Sequence, residues 1–335
     1  MIFVTGGTGL LGARLICDLV RSGNTVRALK RETSNLGVIR NILESTGDLN
    51  ELWEQIEWVN GDVLDYFSLI EAMEGVEDVY HCAAMVSFHP RARDKMMKVN
   101  VEGTANVVNA CLEKKVRKLC FASSVAAIGD VPSGQFITED AEWKTNAGKS
   151  NYAISKYASE QEVWRGAEEG LNMVIVNPTI IVGPGDWKRS SARMFLDSYR
   201  GMKYYTTGGN GFVDVDDVSG LMIALMKSDI SYERFLVNGE NLSYKNAFSL
   251  IARAFNKPIP TKKITPKMMA LVWRLDKLRS MITGSRLAIS KEIARESSKI
   301  QKYSNKKIKE AIGFEFTPIS ESISKTTKVF LGQKS

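Results

Sequence analysis

Three side chains in the sequence have the types and spacing needed for proton transfer at a carbonyl or an alcohol. Tyr152 and Lys156 stand four residues apart after Ser150, a good helix N-cap, so both lie on one face of a predicted helix. A phenol holds its proton too tightly for exchange near neutral pH, and a neighbouring lysine cation favours the phenolate. Ser124 ends a predicted strand, and its hydroxyl can hold a substrate oxygen. The set predicts acid–base chemistry at one oxygen atom.

A second chemical feature is the glycine-rich run Thr5-Gly6-Gly7-Thr8-Gly9-Leu10-Leu11-Gly12. The apolar residues 1–4 predict a buried strand before it, and apolar residues at helical spacing over 13–22 predict a helix after it. In that setting glycine allows a tight turn and close approach to a pyrophosphate, whose charge then lies at the helix N-terminus. The order predicts a dinucleotide-binding loop, with a ligand-free glycine turn as the alternative.

The residues after the second predicted strand, 25–29, indicate which dinucleotide is bound. Folds that bind NAD place an acidic residue about 20 residues after the glycines, whereas a basic residue there suits the 2′-phosphate of NADP. Lys30 and Arg31 occupy that position, and the nearest acid, Glu32, follows them. Because Arg and Lys pair readily with phosphate, the pattern favours NADP(H), with NAD(H) as the second choice. A solvated strand end is the plainer explanation of these charges.

Strand and helix patterns alternate over the first half of the chain, which predicts an α/β fold with a doubly wound parallel sheet. Ligands bind such sheets at the carboxyl ends of the strands, where the glycine loop and the serine both fall. A fourth strand over 76–84 ends on the small residues Ala83 and Ala84, which leave room for a cofactor. In the long helix predicted over 91–114, Asn100 interrupts the apolar face and needs a specific role.

With these motifs in view, the chain resembles the extended short-chain dehydrogenase/reductase family, also described as the NAD-dependent epimerase/dehydratase family. The segments that carry the resemblance span most of the chain: Thr5–Gly12, Gly61–Val63, Val99–Thr104, Phe121–Ser124, Tyr152–Lys156, Asn177–Thr179 and Val182–Asp186. The resemblance implies a Rossmann-type sheet with a smaller, discontinuous C-terminal substrate lobe. It places the NADP-binding domain at 1–177 plus about 212–240, and the substrate lobe at about 178–211 and 241–335.

The resemblance also implies roles for individual residues. Tyr152 is the expected acid and base, Lys156 binds the nicotinamide ribose and lowers the pKa of the tyrosine, and Ser124 polarises the substrate carbonyl. Asn100 is expected to support this catalytic group. Asp62 and Val63 are expected at the adenine, and Pro178 and Thr179 near the nicotinamide. The full set of expected cofactor contacts is Thr5, Gly6, Thr8, Gly9, Leu10, Leu11, Gly12, Lys30, Arg31, Asp62, Val63, Ala83, Ala84, Tyr152, Lys156, Pro178 and Thr179.

Within that family the sequence favours a reductase of the dihydroflavonol-reductase-like branch, which the run 176–186 resembles. The related sugar-nucleotide dehydratases carry an Asp-Glu pair after the strand-end hydroxyl residue, where this chain has Val125 and Ala126. The epimerases usually keep an acid where it has Lys30. The hypothesis is an NAD(P)-dependent carbonyl reductase or alcohol dehydrogenase with a small-molecule substrate. An NAD(P)-dependent epimerase of a nucleotide sugar and a non-catalytic NADP-sensing regulator are the alternatives.

Charge is unevenly distributed along the 335 residues, whose net charge is +7. Residues 257–335 hold 18 Lys and Arg against 6 Asp and Glu, an excess of +12. This basic part predicts attraction to an anionic substrate or an acidic membrane surface, with a solvated lysine-rich face as the plainer explanation. Within it, residues 267–278 are apolar and Met-rich at helical spacing. That helix is expected to cover the substrate cleft, to pack in the core or to lie on a membrane.

Other features of the sequence exclude several classes of protein. No apolar run is long enough to cross a bilayer, and the first residues enter the fold directly, so we expect a cytoplasmic protein without a signal peptide. The four cysteines lack metal-type spacing, which predicts free thiols in a reducing compartment and no metal site. No nucleic-acid motif accompanies the basic segment. The resemblance adds a homodimer formed through the helices that hold Asn100 and Tyr152.

Overall fold

A parallel sheet of seven strands forms the centre of the molecule, as the alternating pattern predicts. The computed structural model describes residues 1–45, 47–132, 134–283 and 290–333. Its strands are β1 Ile2–Thr5, β2 Val26–Lys30, β3 Ile56–Asn60, β4 Asp78–His81, β5 Lys118–Ala122, β6 Phe136–Ile137, β7 Met173–Pro178, β8 Ile180–Val182, β9 Tyr204–Thr206, β10 Gly209–Asp214, β11 Glu233–Val237, β12 Glu240–Ser243, β13 Lys262–Ile264 and β14 Lys302–Tyr303. The order β11-β7-β5-β4-β1-β2-β3 makes the main sheet, in which every neighbouring pair is parallel.

Helices connect these strands. The α-helices are α1 Leu10–Arg21, α2 Gly37–Ser45, α3 Leu49–Leu52, α4 Tyr66–Ala72, α5 Arg93–Met97, α6 Gly103–Glu113, α7 Asn151–Glu168, α8 Arg193–Tyr199, α9 Val215–Lys227, α10 Tyr244–Ala254, α11 Pro266–Thr283, α12 Lys291–Glu296, α13 Lys306–Ile312 and α14 Ile319–Gly332. Short 3₁₀ turns lie at Trp53–Gln55, Pro90–Ala92 and Val125–Ala127. Among the described residues, no helix is both long and apolar enough to cross a membrane.

Both faces of the main sheet are covered by helices, which is the doubly wound arrangement. Consecutive residues of β1 show this: Val4 packs in a core with α1, α2 and α9, and Phe3 packs in a second core with α4, α6 and α7. Burial on both faces explains why these strands appear in the sequence as continuous apolar runs rather than as alternating ones. The carboxyl ends of all seven strands therefore form one edge, and that edge carries the residues considered below.

The long helix predicted over 91–114 is present, but its turns are of different types. A 3₁₀ turn and α5 lead into a π-helical segment, Lys98–Glu102, and only then into α6. Asn100 lies inside the π-helical segment and is buried. A π-helical turn places one more residue in the turn than an α-helix does, and such turns are frequent at functional sites. The predicted helix is therefore present, and the residue that its pattern singled out lies in a π-helical turn.

The C-terminal part builds a second, smaller layer. Strands β8, β10 and β12 form a three-stranded sheet, and α8, α10 and α14 share an apolar core with it. Strand β10 lies in this small sheet, while the helix after it, α9, packs on α1, and β11 returns to the edge of the main sheet beside β7. The chain thus crosses between the two layers more than once.

Candidate active site

The pair Ser124 and Tyr152 is assembled at the carboxyl edge of the main sheet. Ser124 caps the 3₁₀ turn after β5, and its Oγ accepts a hydrogen bond from the Ala126 amide at 3.2 Å. Tyr152 lies in the first turn of α7, which Ser150 caps by accepting from the Ala153 amide at 3.0 Å. Burial raises the pKa of Tyr152, and the neighbouring Ser124 side chain opposes that rise. The serine hydroxyl thus lies close enough to the phenol to favour its ionised form.

Lys156 follows one turn later on α7 and is buried against β5. Its Nζ donates to the Ala122 carbonyl at 2.9 Å and lies 4.3 Å from the centre of the Phe121 ring. Burial lowers the pKa of Lys156 to about 8, and the nearby Glu160 carboxylate partly offsets this by favouring the cation. The ammonium group is thus fixed beside the strand that leads to Ser124. The structure brings together the three side chains that the sequence singled out.

Glu160 is a member of this region that sequence reasoning missed. It is buried one turn beyond Lys156, and its carboxylate accepts from Ser123 Oγ at 2.7 Å and from Asn177 Nδ2 at 2.8 Å. Arg234 on β11 forms an ion pair with it at 3.0 Å. The same Asn177 amide donates to the Ser124 carbonyl at 3.0 Å, so the Glu160 network holds the serine backbone as well.

A signal for this network was present in the spacing of the helix. Glu160 is four residues after Lys156, just as Lys156 is four after Tyr152, so the three share one helix face. A charged residue on a helix is usually exposed, and its partners come from β7 and β11, far away in sequence. The burial of Glu160 and its pairing with these residues therefore could not be predicted from the sequence alone.

Asn100 holds two segments together from inside the π-helical turn. Its side-chain amide forms a two-way pair with the Met85 backbone, Nδ2 donating at 3.0 Å and Oδ1 accepting at 2.7 Å, and Nδ2 also donates to Ser155 Oγ at 2.9 Å. Its carbonyl accepts from Thr104 and Ser159 hydroxyls at 2.6 and 2.7 Å. With these contacts Asn100 acts as a positioning residue between α7 and the segment after β4.

His81, at the end of β4, links the glycine loop to this network. Its Nδ1 lies 2.6 Å from Thr5 Oγ1 and its Nε2 lies 3.0 Å from Thr104 Oγ1. Thr5 Oγ1 accepts from the Ala83 amide and Thr104 donates to the Asn100 carbonyl, so Thr5 donates to Nδ1 and Nε2 carries the proton. Burial lowers the pKa of His81 to about 3, which keeps the ring neutral. The hydroxyl of Thr5, at the start of the glycine loop, thus bonds to His81 and to the Ala83 amide.

The glycine loop has the properties of an anion site. Gly9 occupies the N-cap position of α1 without a capping side chain, and the first turn contains no acid. Within the described part of the chain, no backbone partner accepts from the amides of Leu10, Leu11 or Gly12. Such unpaired amides at a helix N-terminus suit a phosphate group.

Two glycines make that geometry possible. Gly6 has φ +73°, and a Cβ there would lie 2.5 Å from the Ala83 nitrogen. A Cβ on Gly12 would lie 2.3 Å from the Gly6 oxygen. Larger residues at either position would push the loop away from the sheet edge, so the cradle fits the pyrophosphate of a dinucleotide. Thr8 lies between them, half-buried in the same turn.

The basic residues after β2 lie at the outer end of the same edge. Lys30 Nζ donates to Asn60 Oδ1, on the neighbouring β3, at 2.7 Å, and Arg31 is exposed. Arg27 instead forms an ion pair with Glu57 on β3 and donates to two carbonyls. The Arg27 guanidinium is thus occupied by protein groups, while Arg31 is exposed at the end of β2.

The other predicted contacts lie along the edge with mixed exposure. Asp62 Oδ1 accepts from the Leu64 amide at 3.0 Å, while the Val63 side chain is buried in the core beside Gly103. Ala83 is half-buried and Ala84 is exposed after β4. Pro178 ends β7 and Thr179 follows it, both buried, and Thr179 Oγ1 donates to the Val237 carbonyl at 3.3 Å. The side chains of Val63 and Thr179 thus contact protein groups, and so do the Val63 carbonyl, which accepts from Asn106 Nδ2, and the Thr179 amide, which donates to Val237.

Comparison with known proteins agrees with this geometry. The model of the family described as NAD dependent epimerase/dehydratase matches residues 2–237. Sterol demethylase protein B of Methylococcus capsulatus is 33% identical over 79% of this chain and 78% of its own length. A Synechocystis protein provisionally named dihydroflavonol 4-reductase is 32% identical over 81% of this chain and 77% of its own length.

The similarity also extends over whole chains. Cinnamoyl-CoA reductase 1 of Petunia hybrida is 28% identical over 98% of this chain and 91% of its own length. The crystal structure of gox2253 superposes with a TM-score of 0.83 at 29% identity, covering 99% of this chain and 98% of the other. The predicted resemblance is confirmed, including its dihydroflavonol-reductase-like relatives. The chain belongs to the NAD-dependent epimerase/dehydratase family and is an NAD(P)-dependent enzyme of the extended short-chain dehydrogenase/reductase type.

Proposed function

We propose that the protein is an NADP(H)-dependent carbonyl reductase or alcohol dehydrogenase in which Ser124, Tyr152 and Lys156 form the proton-transfer site. The observation that carries the proposal is that the Ser124 hydroxyl neighbours the Tyr152 phenol and opposes the rise of its pKa, one helical turn from the buried Lys156. Two neighbouring hydroxyl groups can both hold a substrate oxygen placed between them. When NADPH is bound, its nicotinamide supplies the hydride.

In reduction, Tyr152 donates its proton to the carbonyl oxygen as that oxygen gains negative charge. Ser124 holds the same oxygen by donating a hydrogen bond to it. Lys156 favours the phenolate that remains, because its cation lies one turn away on the same helix face. Burial has brought the pKa of Lys156 to about 8, so the lysine can itself exchange a proton near neutral pH. In the oxidation of an alcohol, the same proton moves back to Tyr152.

For the coenzyme, we propose that Lys30 and Arg31 bind the 2′-phosphate of NADP(H). Lys30 is held by Asn60 at the end of β3, which fixes the ammonium group at the sheet edge, while Arg31 is exposed beside it. The acid that would favour the free ribose hydroxyls of NAD(H) is absent from this position in the sequence. The proposed coenzyme contacts are completed by the glycine loop and by Asp62, Val63, Ala83, Ala84, Pro178 and Thr179.

A second candidate is an NAD(P)-dependent epimerase, which the family name itself includes. The residues against it are Val125 and Ala126, which occupy the 3₁₀ turn after Ser124 and offer no acid or base. The absence of an acid and a base at these two positions argues against a dehydratase more strongly than against an epimerase. The relatives named as reductases favour the first candidate for this chain.

One assay distinguishes the proposed reductase from the epimerase. Purified protein is incubated with NADPH and a panel of aldehydes and ketones, aryl and acyl-thioester carbonyls included, while NADPH absorbance and the alcohol or aldehyde products are both followed. We expect stoichiometric loss of NADPH and formation of reduced product, and a lower KM for NADPH than for NADH. Conversion of a nucleotide sugar without net loss of NADPH would establish the epimerase instead.

The expected homodimer is kept as part of the proposal. Helices α6 and α7 pack side by side on one face of the sheet, and each leaves a partly exposed surface. Size-exclusion chromatography with light scattering gives the mass of the particle directly. The mass of a single 37.3 kDa chain at assay concentrations would remove the dimer from the proposal and leave the catalytic part intact.

A further inference from the structure

Helix α11 carries an exposed apolar stripe that the proposed function does not use. Its members are spaced by three, one, three and three residues, so they lie on one face of the helix: Met268, Leu271, Val272, Leu275 and Leu278. Each is between 37% and 57% exposed. The opposite face packs inward through Met269, which is buried, and Trp273, which is half-buried. We call the five exposed side chains the α11 stripe.

The sequence around the stripe is strongly cationic. Residues 257–283 contain seven Lys and Arg and a single acid, Asp276. Asp276 lies on the inner side of the helix with its side chain 11% exposed, and it pairs with Arg279 at 2.7 Å. Lys267 and Arg274 are exposed along one border of the stripe. An apolar stripe bordered by cations is the pattern of a helix that lies in the interface of an anionic bilayer.

The position of the stripe relates it to the catalytic helix. Helix α11 packs against α12. From α12, Glu292 Oε1 accepts from the backbone and side-chain amides of Asn151, at 3.3 and 2.9 Å. Asn151 is the first residue of α7 and directly precedes Tyr152. A surface that held the α11 stripe would therefore lie next to the N-terminal end of the helix that carries the proposed acid.

We propose that the α11 stripe inserts into the headgroup region of an anionic lipid bilayer and holds the protein on the membrane surface. The apolar side chains gain burial, and each nearby cation gains attraction to anionic lipid. A second copy of the chain fits this face less well, because two such surfaces would bring seven cations against seven. No described helix crosses a membrane, so the contact is peripheral and reversible. The proposal does not depend on which reaction the protein catalyses.

The test is flotation of the purified full-length chain with vesicles of phosphatidylcholine alone and of phosphatidylcholine mixed with phosphatidylglycerol. We expect binding to the mixed vesicles that falls as salt is raised. Leu271→Asn combined with Leu275→Asn keeps the charge and should reduce binding at least tenfold. Phe67→Asn is the matched control, because Phe67 is 77% exposed on α4, far from the stripe in sequence, and its loss should leave binding unchanged.

The cations are tested by a second matched pair. Lys267→Gln with Arg274→Gln should weaken binding to the mixed vesicles by roughly fivefold per charge. Lys306→Gln with Lys309→Gln removes the same charge from α13 and should have little effect. Absence of flotation with mixed vesicles would overturn the proposal, as would equal binding by the two leucine variant proteins and the wild type. If the leucine substitutions instead turn a dimer into a monomer in light scattering, the stripe is an interface between copies and the bilayer is excluded.

Discussion

Two corners of the same sheet edge are built in opposite ways. At the proton-transfer corner, Lys156 and Glu160 are buried, and their charged atoms have partners within hydrogen-bonding distance. At the coenzyme corner, Arg31 is exposed and the amides at the start of α1 have no partner among the described residues. The charges of the first corner are thus paired within the protein, while part of the second corner is left open to solvent. Substitutions should therefore change different quantities at the two corners.

At the coenzyme corner a large effect on KM is expected. Lys30→Ala with Arg31→Ala removes two cations from the proposed 2′-phosphate site and should raise KM for NADPH by about 10²- to 10⁴-fold, since charged hydrogen bonds each contribute about 1.5 to 3 kcal/mol. The turnover number and the KM for NADH should change little. Steady-state kinetics with both coenzymes measures this. Equal losses with NADPH and NADH would mean that these residues support the loop rather than read the phosphate.

At the proton-transfer corner, Glu160→Gln should change the pH profile. The carboxylate favours the Lys156 cation, so its removal lowers the pKa of the lysine further below about 8. Carbonyl reduction depends on the protonated lysine in this account, so activity should fall at lower pH than in the wild type, by on the order of one pH unit. The kcat profile between pH 6 and 10 shows the shift.

The matched control for that substitution is Glu162→Gln on the same helix. Glu162 pairs with Arg165 at the surface, and loss of such a pair costs less than about 1 kcal/mol and leaves the profile in place. Glu160→Gln also leaves Arg234 without its carboxylate partner, so a loss of stability accompanies it. If kcat of Glu160→Gln falls at the same high pH as kcat of the wild type, the Glu160 network stabilises the fold without setting the pKa of Lys156.

The smallest effect is the pH dependence of stability that His81 contributes. The pKa of this histidine is about 3 in the folded protein because of burial, and about 6.5 in the unfolded chain. The unfolded state therefore binds a proton first as pH falls, and the histidine should remove about 2 kcal/mol of stability between pH 7 and pH 5. His81→Gln should be less stable than the wild type at pH 7, but its stability should fall less steeply as the pH is lowered. Thermal unfolding at several pH values tests this, and a wild-type decline of stability with falling pH in His81→Gln would contradict it.

The sequence was sufficient for features defined by local spacing. The glycine loop follows a strand and precedes a helix, and Tyr152 and Lys156 share a helix face, so each could be predicted from a few neighbouring residues. Glu160 could not be, because its burial depends on Ser123, Asn177 and Arg234, which come from three different parts of the chain. Charged residues are exposed by default, and only the folded sheet edge reverses that expectation.

Backbone details were hidden for a related reason. The π-helical turn at Asn100 depends on contacts with Met85 and Ser159, neither of which is a helical neighbour. The strand β10 has the composition of a buried strand, and nothing in its own residues distinguishes the small sheet from the main one. Helix α11 was recognised as amphipathic, but only the structure shows that its apolar stripe is left exposed.

The central claim is that Tyr152 moves the proton, and one pair of variants tests it most directly. Tyr152→Phe and Tyr157→Phe each remove one hydroxyl from α7, but Tyr157 stacks on Trp143 at 4.4 Å, whereas Tyr152 neighbours Ser124. With NADPH and a carbonyl that the wild type reduces, Tyr152→Phe should lower kcat by about 10²- to 10⁴-fold, while Tyr157→Phe stays within about twofold of the wild type. Reduction by Tyr152→Phe at the rate of Tyr157→Phe would contradict the account.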